Sequence, residues 1–263
     1  MTYGLWLSTA GLQINDYRQS IMANNLANAD TVGFKHDLAV IQERAVESRA
    51  GVGNNRFATH EGWRYTHGVL DGLTGGAWVR PTVHTFEQGK LEHTDNPLDL
   101  AIEGDGFFAV RDGDQVKYTR DGRLTLNDAG ELVMVAGGGR FRVLDQNGEP
   151  IEVDTAIPGP INITADGTVR RGDEVMGRVV LFEFADRSSL SKSGQNLYTN
   201  HGDPGTTSNS TIKSGYVERS TVNAIKGLAG MITVSRAYQL NANMISLQDQ
   251  TIGQAVTTVG RIG

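Results

Sequence analysis

Apolar residues near the amino terminus recur at alternating steps of four and three residues. They are Tyr3, Leu7, Ala10, Ile14, Tyr17 and Ile21, and the same rhythm continues to Asn24 and Asn28. Steps that average about 3.5 residues keep one apolar stripe facing a partner helix along its length, whereas a helix on a globular core shows a wider stripe. The spacing therefore predicts an amino-terminal helix with a heptad seam.

The carboxy-terminal part of the chain repeats this pattern, with two polar interruptions. Its seam positions are Ala224, Leu228, Met231, Ser235, Tyr238, Ala242, Ile245, Asp249, Ile252, Val256 and Val259. Either Ser220 or Thr221 is expected to cap the helix, because a side-chain oxygen accepts from a free amide in the first turn. Four glycines within the segment weaken an isolated helix, each by about 0.5 to 1 kcal/mol. We therefore expect a helix that becomes ordered on assembly.

Between these ends the chain alternates short apolar runs with Gly-rich turn signals, which is typical of antiparallel strands joined by hairpins. The strand candidates are Phe107 to Val110, Val116 to Thr119, Leu132 to Val135, Arg140 to Leu144 and Val179 to Phe184. The last run is apolar on both faces at its start, as in a strand buried between layers. The middle of the chain is therefore expected to be all-β.

Two stretches lack this periodicity. The segment from Ser48 to Gly76 is predicted to be an extended arm, and the segment from Asn200 to Ser214 a linker into the final helix. The expected fold class is α+β, with a discontinuous α-helical coiled-coil domain formed by both ends and a central antiparallel β domain. The predicted divisions are 1–35, 36–95, 96–214 and 215–263.

Composition and charge narrow the function. The net charge of −6 comes without any run of basic residues that would neutralise a phosphate backbone, so nucleic acid is not an expected partner. There are no cysteines, which excludes disulfides and thiolate metal sites. The amino terminus lacks the charged and apolar regions of a secretory signal, and no apolar stretch approaches the ~20 residues of a membrane span.

The sequence shows only weak signs of a catalytic or metal-binding site. The six histidines, at 36, 60, 67, 84, 93 and 201, form no close ligand pair, and neither a metal nor a cofactor is expected. The motifs Asp112-Gly113-Asp114 and Asp145 to Glu149 indicate turns, since neither has the full ligand spacing of a calcium loop. Asp95 and Asp99 would form a glycosidase pair only across a cleft. The densest basic positions, Arg140 with Arg142 and Arg170-Arg171, are expected on solvated strands or against acidic neighbours.

Three segments, in order, resemble the flagellar rod and hook proteins. The first is Ala23-Asn24-Asn25-Leu26-Ala27-Asn28-Ala29-Asp30-Thr31-Val32-Gly33-Phe34-Lys35. The second runs from Asn96 to Val110 and continues with Tyr118-Thr119-Arg120-Asp121-Gly122, and the third joins Gly215 to Asn223 with Ser235 to Asn241. In the first, asparagines can bond backbone groups at a helix end, Gly33 can take a backbone angle closed to other residues, and Phe34 can be buried. Ala224 to Gly227 departs from the acidic residues usual in similar proteins.

The resemblance implies a structural subunit and not an enzyme. In such proteins the terminal helices form the inner tube of a helical assembly, and the β domain faces outward. The implied partners are other copies of the chain, adjacent rod and hook proteins and the flagellar export apparatus, without membrane insertion. The implied location is the periplasm-spanning rod of the basal body, reached without a cleaved signal peptide. The chain's length and its Leu5-Trp6 start favour the distal rod, with the proximal rod as the alternative.

The predicted assembly interface consists of seam residues from both helices together with Asn25. Its residues are Leu7, Ile14, Tyr17, Ile21, Asn24, Asn25, Asn28, Leu228, Met231, Tyr238, Ile245 and Ile252. A secreted β-rich protein that binds or hydrolyses carbohydrate, with helical tails, is the alternative from another class. A convergent pocket of carboxylates or stacked aromatic residues in the middle domain would favour that alternative.

Overall fold

Long helices occupy both ends of the chain and strands fill the part between them, in a computed structural model that describes residues 2–43 and 76–260. Helix α1 spans Thr2–Ala27 and helix α2 spans Ala224–Gly260. This arrangement confirms the α+β class. The chain divides into two units: Met1–Leu26 with Asp37–Val83 and Ala224–Gly263, and Ala27–His36 with His84–Asn223. The four-part division from sequence is finer than this and stays a prediction.

The first unit contains both helices and several short strands. The strands are β1 (Asp37–Leu38), β2 (Ile41–Glu43), β3 (Ala77–Val79) and β4 (Val83–His84), which ends in the second unit. Strands β2 and β3 pair antiparallel, with Ile41 opposite Val79. Nearly all of the predicted arm, from Ser48 up to the residue before Gly76, lies outside the described residues.

The two helices lie side by side at positions where glycine removes the side chain from one of them. A Cβ on the glycine would lie 2.9 Å from the opposite side chain at Gly4 and Gln248, 3.0 Å at Gly11 and Asn241, and 3.2 Å at Gly230 and Met22. The residue numbers of each pair add to the same total, so the helices run antiparallel in one continuous register. Val234 and Asn15 are the most buried side chains of this pair of helices.

The second unit is the β domain. Its strands are β5 (Leu91–His93), β6 (Leu100–Glu103), β7 (Phe107–Asp112), β8 (Gln115–Thr119), β9 (Leu124–Leu126), β10 (Leu132–Met134), β11 (Arg142–Val143), β12 (Ile161–Ile163), β13 (Thr168–Arg171), β14 (Glu174–Arg178), β15 (Leu181–Glu183), β16 (Leu190–Lys192), β17 (Leu197–Asn200), β18 (Thr206–Thr207), β19 (Thr211–Ser214) and β20 (Tyr216–Glu218). A 3-10 turn, Arg187–Ser189, precedes β16. The pairings are antiparallel, as predicted.

A nine-stranded sheet organises this domain, in the order β16-β17-β8-β7-β11-β10-β9, with β15 and β18 beside it. Strand β7 is central because β8 covers one edge, while β15 and β11 share the other. Alternate residues such as Phe108 and Val110 point into the main core. Phe107 points into a second cluster, with Phe184 and Tyr198 at ring distances of 5.8 and 5.9 Å.

Most predicted strands are confirmed, but two details are wrong. The predicted linker from Asn200 to Ser214 contains β18 and β19, and β19 pairs along its length with β6, from Thr211 opposite Glu103 to Ser214 opposite Leu100. Backbone pairing needs no apolar pattern, so a polar segment can be a strand. The cap prediction also fails, because α2 begins at Ala224. The Thr221 hydroxyl instead accepts from the His36 amide at 3.1 Å.

Candidate functional site

The predicted seam residues of the two helices lie level with one another. The antiparallel register places Leu7 level with Ile245, Ile14 with Tyr238, Ile21 with Met231 and Asn24 with Leu228. Gly4 and Gly11 of α1, each one position after a seam residue, lie against Gln248 and Asn241 of α2.

Most of the seam side chains are half-buried. Leu7, Asn24 and Leu228 are exposed, whereas Ile14, Tyr17, Ile21, Asn25, Asn28, Met231, Tyr238, Ile245 and Ile252 are intermediate. Tyr17 also forms a hydrogen bond of 2.6 Å between its hydroxyl and that of Thr82, within the same unit. Contact between these residues and other subunits remains a prediction.

Sequence reasoning missed a second apolar stripe on α2. It consists of Ile225, Ile232, Leu240 and Leu247, which are 81, 55, 65 and 57% exposed. At ~100° per residue, these positions fall within one narrow face, opposite Met231, Tyr238 and Ile245. Helix α2 is thus apolar on two opposite sides. These residues are spaced seven or eight positions apart in the sequence. The spacing was missed because only one apolar seam was expected on the helix.

The asparagines near the end of α1 bond backbone groups, as predicted. The Asn25 side chain donates to the Asp37 carbonyl and accepts from the Asp37 amide, both at 2.8 Å. The Asn28 carbonyl accepts from the Thr31 amide at 3.2 Å, and its side-chain oxygen accepts from the Thr31 hydroxyl at 3.1 Å. These bonds replace helical partners that the chain loses at the helix end.

Gly33 and Phe34 also behave as predicted. Gly33 has a φ of 68°, in the left-handed region that favours glycine. A Cβ there would lie 2.6 Å from the carbonyl carbon of Arg120, so the close backbone approach also requires glycine. Phe34 is buried, and the ammonium of Lys192 lies 3.9 Å from the centre of its ring. The first motif is therefore packed into the β domain.

A buried group of charges fastens this segment. Lys35 Nζ donates to Glu218 Oε1 at 2.7 Å and to the Glu87 carbonyl at 2.5 Å. The Gly89 amide donates to the same Glu218 oxygen at 2.6 Å, and Arg120 Nη1 approaches the other oxygen at 3.5 Å. All three charged side chains are buried. We call Gly33–Lys35, Arg120 and Glu218 the clasp.

The electrostatics of the clasp depend on Glu218. Burial lowers the pKa of Lys35, and the neighbouring Glu218 carboxylate opposes that shift. Burial likewise lowers the pKa of Arg120, again opposed by Glu218. One carboxylate thus compensates two buried cations. Removing one partner of a buried pair costs about 3 to 5 kcal/mol, because the other charge is left uncompensated.

The clasp also joins the segment that follows α1 to the segment that precedes α2. The Gly33 amide donates to the Glu218 carbonyl at 2.6 Å, and the Thr221 amide donates to the Phe34 carbonyl at 3.1 Å. The Asn196 side chain donates to the Val32 carbonyl at 2.7 Å, and Lys192 donates to the Lys35 carbonyl at 2.8 Å. These bonds hold residues 32–35 beside residues 218–221.

Each of the three motifs contributes one charge to the clasp. Lys35 ends the first motif, Arg120 belongs to the second and Glu218 to the third. Lys35 and Glu218 are separated by 183 positions, which no local pattern connects. The only available signal was that each of the three motifs contains a charged residue, two of them cations and one an anion. The arrangement holds backbone segments together, and its charged groups are closed off from solvent.

The acidic residues that were weighed as calcium ligands or as a glycosidase pair lie in or beside turns. Asp145 accepts from the amides of Asn147 and Glu149 at 2.8 and 2.9 Å, which is the predicted turn. Asp95 is exposed, whereas Asp99 is buried and accepts from the Asn96 side chain. Within residues 2–43 and 76–260, no three His, Asp or Glu side chains gather as a metal site. His60 and His67 lie outside the described residues.

Among the described helices, neither α1 nor α2 has the unbroken apolar length that a bilayer span requires.

Known families match three parts of the chain. The family described as "Flagella basal body rod protein" matches residues 8–35, and "Flagellar hook protein FlgE/F/G D1 domain" matches residues 101–171. "Flagellar basal body rod FlgEFG protein C-terminal" matches residues 213–258. The first and third matches cover most of the two helices, and the second covers a large part of the β domain.

Similar proteins extend over nearly the whole chain. The flagellar basal-body rod protein FlgG of Buchnera aphidicola (subsp. Acyrthosiphon pisum) is 32% identical over 266 residues, covering 96% of this chain and 98% of the relative. The rod protein FlgF of Caulobacter vibrioides is 35% identical over 247 residues, covering 92 and 91%. FlgG of Bacillus subtilis is 30% identical over 270 residues, covering 97 and 98%.

The fold defines a class of proteins whose two ends are long helices and whose middle is one antiparallel β domain. The chain belongs to the family of flagellar basal-body rod proteins, which are structural proteins. Its relatives carry two names, FlgG and FlgF, so the comparisons identify the family and not one member of it.

Proposed function

We propose that the chain is a structural subunit of the flagellar basal-body rod, which self-assembles into a helical tube and transmits torque. The apolar character of α2 on two opposite sides carries this proposal. A helix on the surface of a monomer is apolar on one side only, whereas a helix that is apolar all round is buried. Ile225 and Leu240, 81 and 65% exposed, therefore indicate further molecules packed against α2.

The predicted seam supplies the second contact surface. Leu7, Ile21, Met231 and Ile245 lie at a heptad spacing and are not fully buried. We propose that these residues, with the rest of the predicted interface, pack against helices of neighbouring copies as in a coiled coil. The two apolar sides of α2 differ in sequence. A neighbouring copy that packs against one side therefore makes different contacts from a copy that packs against the other side. Such heterologous contacts produce an open helical assembly when the rotation between copies does not close into a ring.

The proposed role of the clasp is mechanical. A rod that rotates must carry force between its helical tube and the β domains around it. The clasp ties residues 32–35 and residues 218–221 into the β domain, at the points where the chain leaves for α1 and α2. A buried ion pair resists displacement because separating its partners leaves uncompensated charges in a non-aqueous environment.

The remaining parts of the proposal rest on family membership. They are export through the flagellar apparatus, a location in the periplasm-spanning rod, and contacts with adjacent rod and hook proteins. The chain's length and its Leu5-Trp6 start support the distal rod, with a proximal position as the alternative. We propose no catalysis, and the charged groups of the clasp are accounted for by packing.

Electron microscopy of basal bodies from a strain that lacks this chain tests the proposal. A rod that ends at a defined height is the expected result, and the height distinguishes distal from proximal. Complete rods in that strain would refute the proposal. A secreted carbohydrate-binding or hydrolytic protein would then be favoured, and sugar binding or turnover by the isolated protein would support it.

A further inference from the structure

The turn between β16 and β17 has an unusual backbone conformation. Gly194, Gln195 and Asn196 follow one another with positive φ angles of 78, 46 and 62°. Glycine adopts this left-handed region freely and asparagine visits it, whereas most residues avoid it because the Cβ approaches the following carbonyl oxygen. Gln195 is exposed, so little packing of its side chain offsets this cost. The conformation must therefore be held by the contacts of the neighbouring residues.

Asn196 connects this turn to the first motif. Its Nδ2 atom donates to the Val32 carbonyl at 2.7 Å, and its backbone carbonyl accepts from the Thr119 hydroxyl at 2.9 Å. Its Oδ1 atom is buried and accepts no hydrogen bond from the described residues. Reversing the amide would not help, because Oδ1 would then face the Val32 carbonyl oxygen. A buried acceptor without a donor costs at least as much as one ordinary hydrogen bond contributes, so the closed turn carries a second cost.

Lys192 contacts the first motif from the other end of the turn. Its Nζ atom donates to the Lys35 carbonyl at 2.8 Å and lies 3.9 Å from the centre of the Phe34 ring. A hydrogen bond from a charged donor and a cation–π contact both favour the closed turn. We call residues 192–196 the strap, because they hold residues 32–35 from both ends of the turn.

The rest of the hairpin is anchored in the sheet. Strand β17 pairs with β8, and its residues Leu197 and Tyr198 are buried. Strand β16 is an edge strand and pairs with β17 alone among the described strands. Anchored strands confine movement to the turn between them. Opening of the strap would let the backbone of Gln195 relax and would expose Asn196 Oδ1 to water, at the loss of the two hydrogen bonds to the first motif.

We propose that the strap is a latch that opens and closes over residues 32–35, and that its opening is the first step in the release of the clasp. Closing gains one neutral hydrogen bond, one charged hydrogen bond and a cation–π contact. It costs the left-handed backbone of Gln195 and the unpaired oxygen of Asn196. These gains and costs are of the same order, so the closed and open forms differ little in free energy. Backbone strain of this kind is typical of switch regions.

In the rod, the latch would let the clasp yield in steps under torque. This role rests on the mechanical function proposed above for the clasp. An open strap removes two of the bonds to residues 32–35, while the buried pair of Lys35 with Glu218 and the bond from the Gly33 amide remain. The latch itself is a property of the folded chain and is tested without assembly.

Hydrogen exchange in the full-length chain, below the concentration at which it polymerises, measures how often the clasp opens. The reporters are the amides of Gly33 and Thr221, which are bonded to clasp carbonyls and not to the strap. The amide of buried Leu132, in the main core, reports global unfolding. Asn196→Asp replaces the donor with a carboxylate that repels the Val32 carbonyl. Exchange at both clasp amides should become about tenfold faster, with the Leu132 amide unchanged.

A second pair of variants isolates the backbone strain. Gln195→Gly removes the cost of the left-handed conformation and should slow exchange at the clasp amides about threefold. Gln195→Ala is the matched control, because it removes the same exposed side chain but keeps the Cβ, and it should exchange at the wild-type rate. A loss of side-chain contacts alone would make the two variants alike.

Circular dichroism establishes that each variant is folded, and the two Gln195 variants decide the question if the Asn196 variant is not. Wild-type exchange at Gly33 and Thr221 in every folded variant would overturn the inference. Equal acceleration at Leu132 would overturn it as well, because the clasp would then open only by global unfolding. Either result leaves the rod function intact. Complete rods in a strain that lacks the chain would instead refute the rod function and leave the exchange result standing.

Discussion

Lys35 and Glu218 lie 183 positions apart in the chain and form an ion pair of 2.7 Å whose side chains are 0 and 1% exposed. Lys35 follows the amino-terminal helix and Glu218 precedes the carboxy-terminal helix. The β domain between them is therefore closed at the place where the chain enters and leaves it.

Replacing Glu218 with Gln should destabilise the β domain strongly. The change leaves Lys35 and Arg120 buried without their carboxylate, and we expect a loss of about 3 to 5 kcal/mol in the free energy of unfolding. Glu103→Gln is the matched control, because Glu103 forms an ion pair of the same kind with Lys213 at 2.8 Å on the surface. An exposed pair contributes about 1 kcal/mol or less. Urea unfolding of both variants measures the difference, and equal losses would contradict the importance of burial.

Replacing Gly33 with Ala should also weaken the clasp. The new Cβ would meet the backbone of Arg120 at 2.6 Å, in addition to the strain of a positive φ. We expect a loss of about 2 to 4 kcal/mol. Gly113→Ala separates the two effects, since Gly113 has a similar φ of 61° with nothing within 4 Å. It should cost only about 1 to 2 kcal/mol. A Gly33 variant as stable as the Gly113 variant would show that the backbone approach is not constrained.

How far the sequence predicts this structure depends on the type of signal. Heptad spacing correctly predicts both helices, since apolar periodicity reports a buried stripe. It does not single out Gly4 and Gly11, which lie against Gln248 and Asn241 of the other helix, because glycine adds no apolar character. Turn signals predict the hairpins, but the polar strand Thr211–Ser214 has no apolar pattern. The clasp depends on pairing across the whole chain, which only the fold establishes.

The acid side of the stability profile should depend on Asp112. Hydrogen bonds from Arg140 and then from Lys117 lower the pKa of this carboxyl from 3.8 to about 2. A depressed pKa means that the ionised group stabilises the fold above pH 3.8, and that this contribution is lost as the pH falls towards 2. Asp112→Asn should therefore flatten the decline of the thermal midpoint in this range. The exposed Asp128→Asn is the control and should keep the decline of the wild type. Parallel profiles for the wild type and the Asp112 variant would contradict this assignment.

Charges introduced into the predicted seam should stop polymerisation without unfolding the β domain. Ile21 lies level with Met231 on the antiparallel helix pair, and Ile245 lies level with Leu7, so both positions belong to one stripe. Ile21→Asp or Ile245→Asp would place a charge in an interface that excludes water, which is strongly unfavourable. We expect sedimentation and electron microscopy to show monomers, while the β-domain signal in circular dichroism stays that of the wild type. Ser20→Asp and Ser246→Asp place the same charge at the neighbouring exposed positions and should assemble. Normal rods from both isoleucine variants would exclude the seam from the interface, and the exposed stripe of Ile225, Ile232, Leu240 and Leu247 would then have to provide it alone.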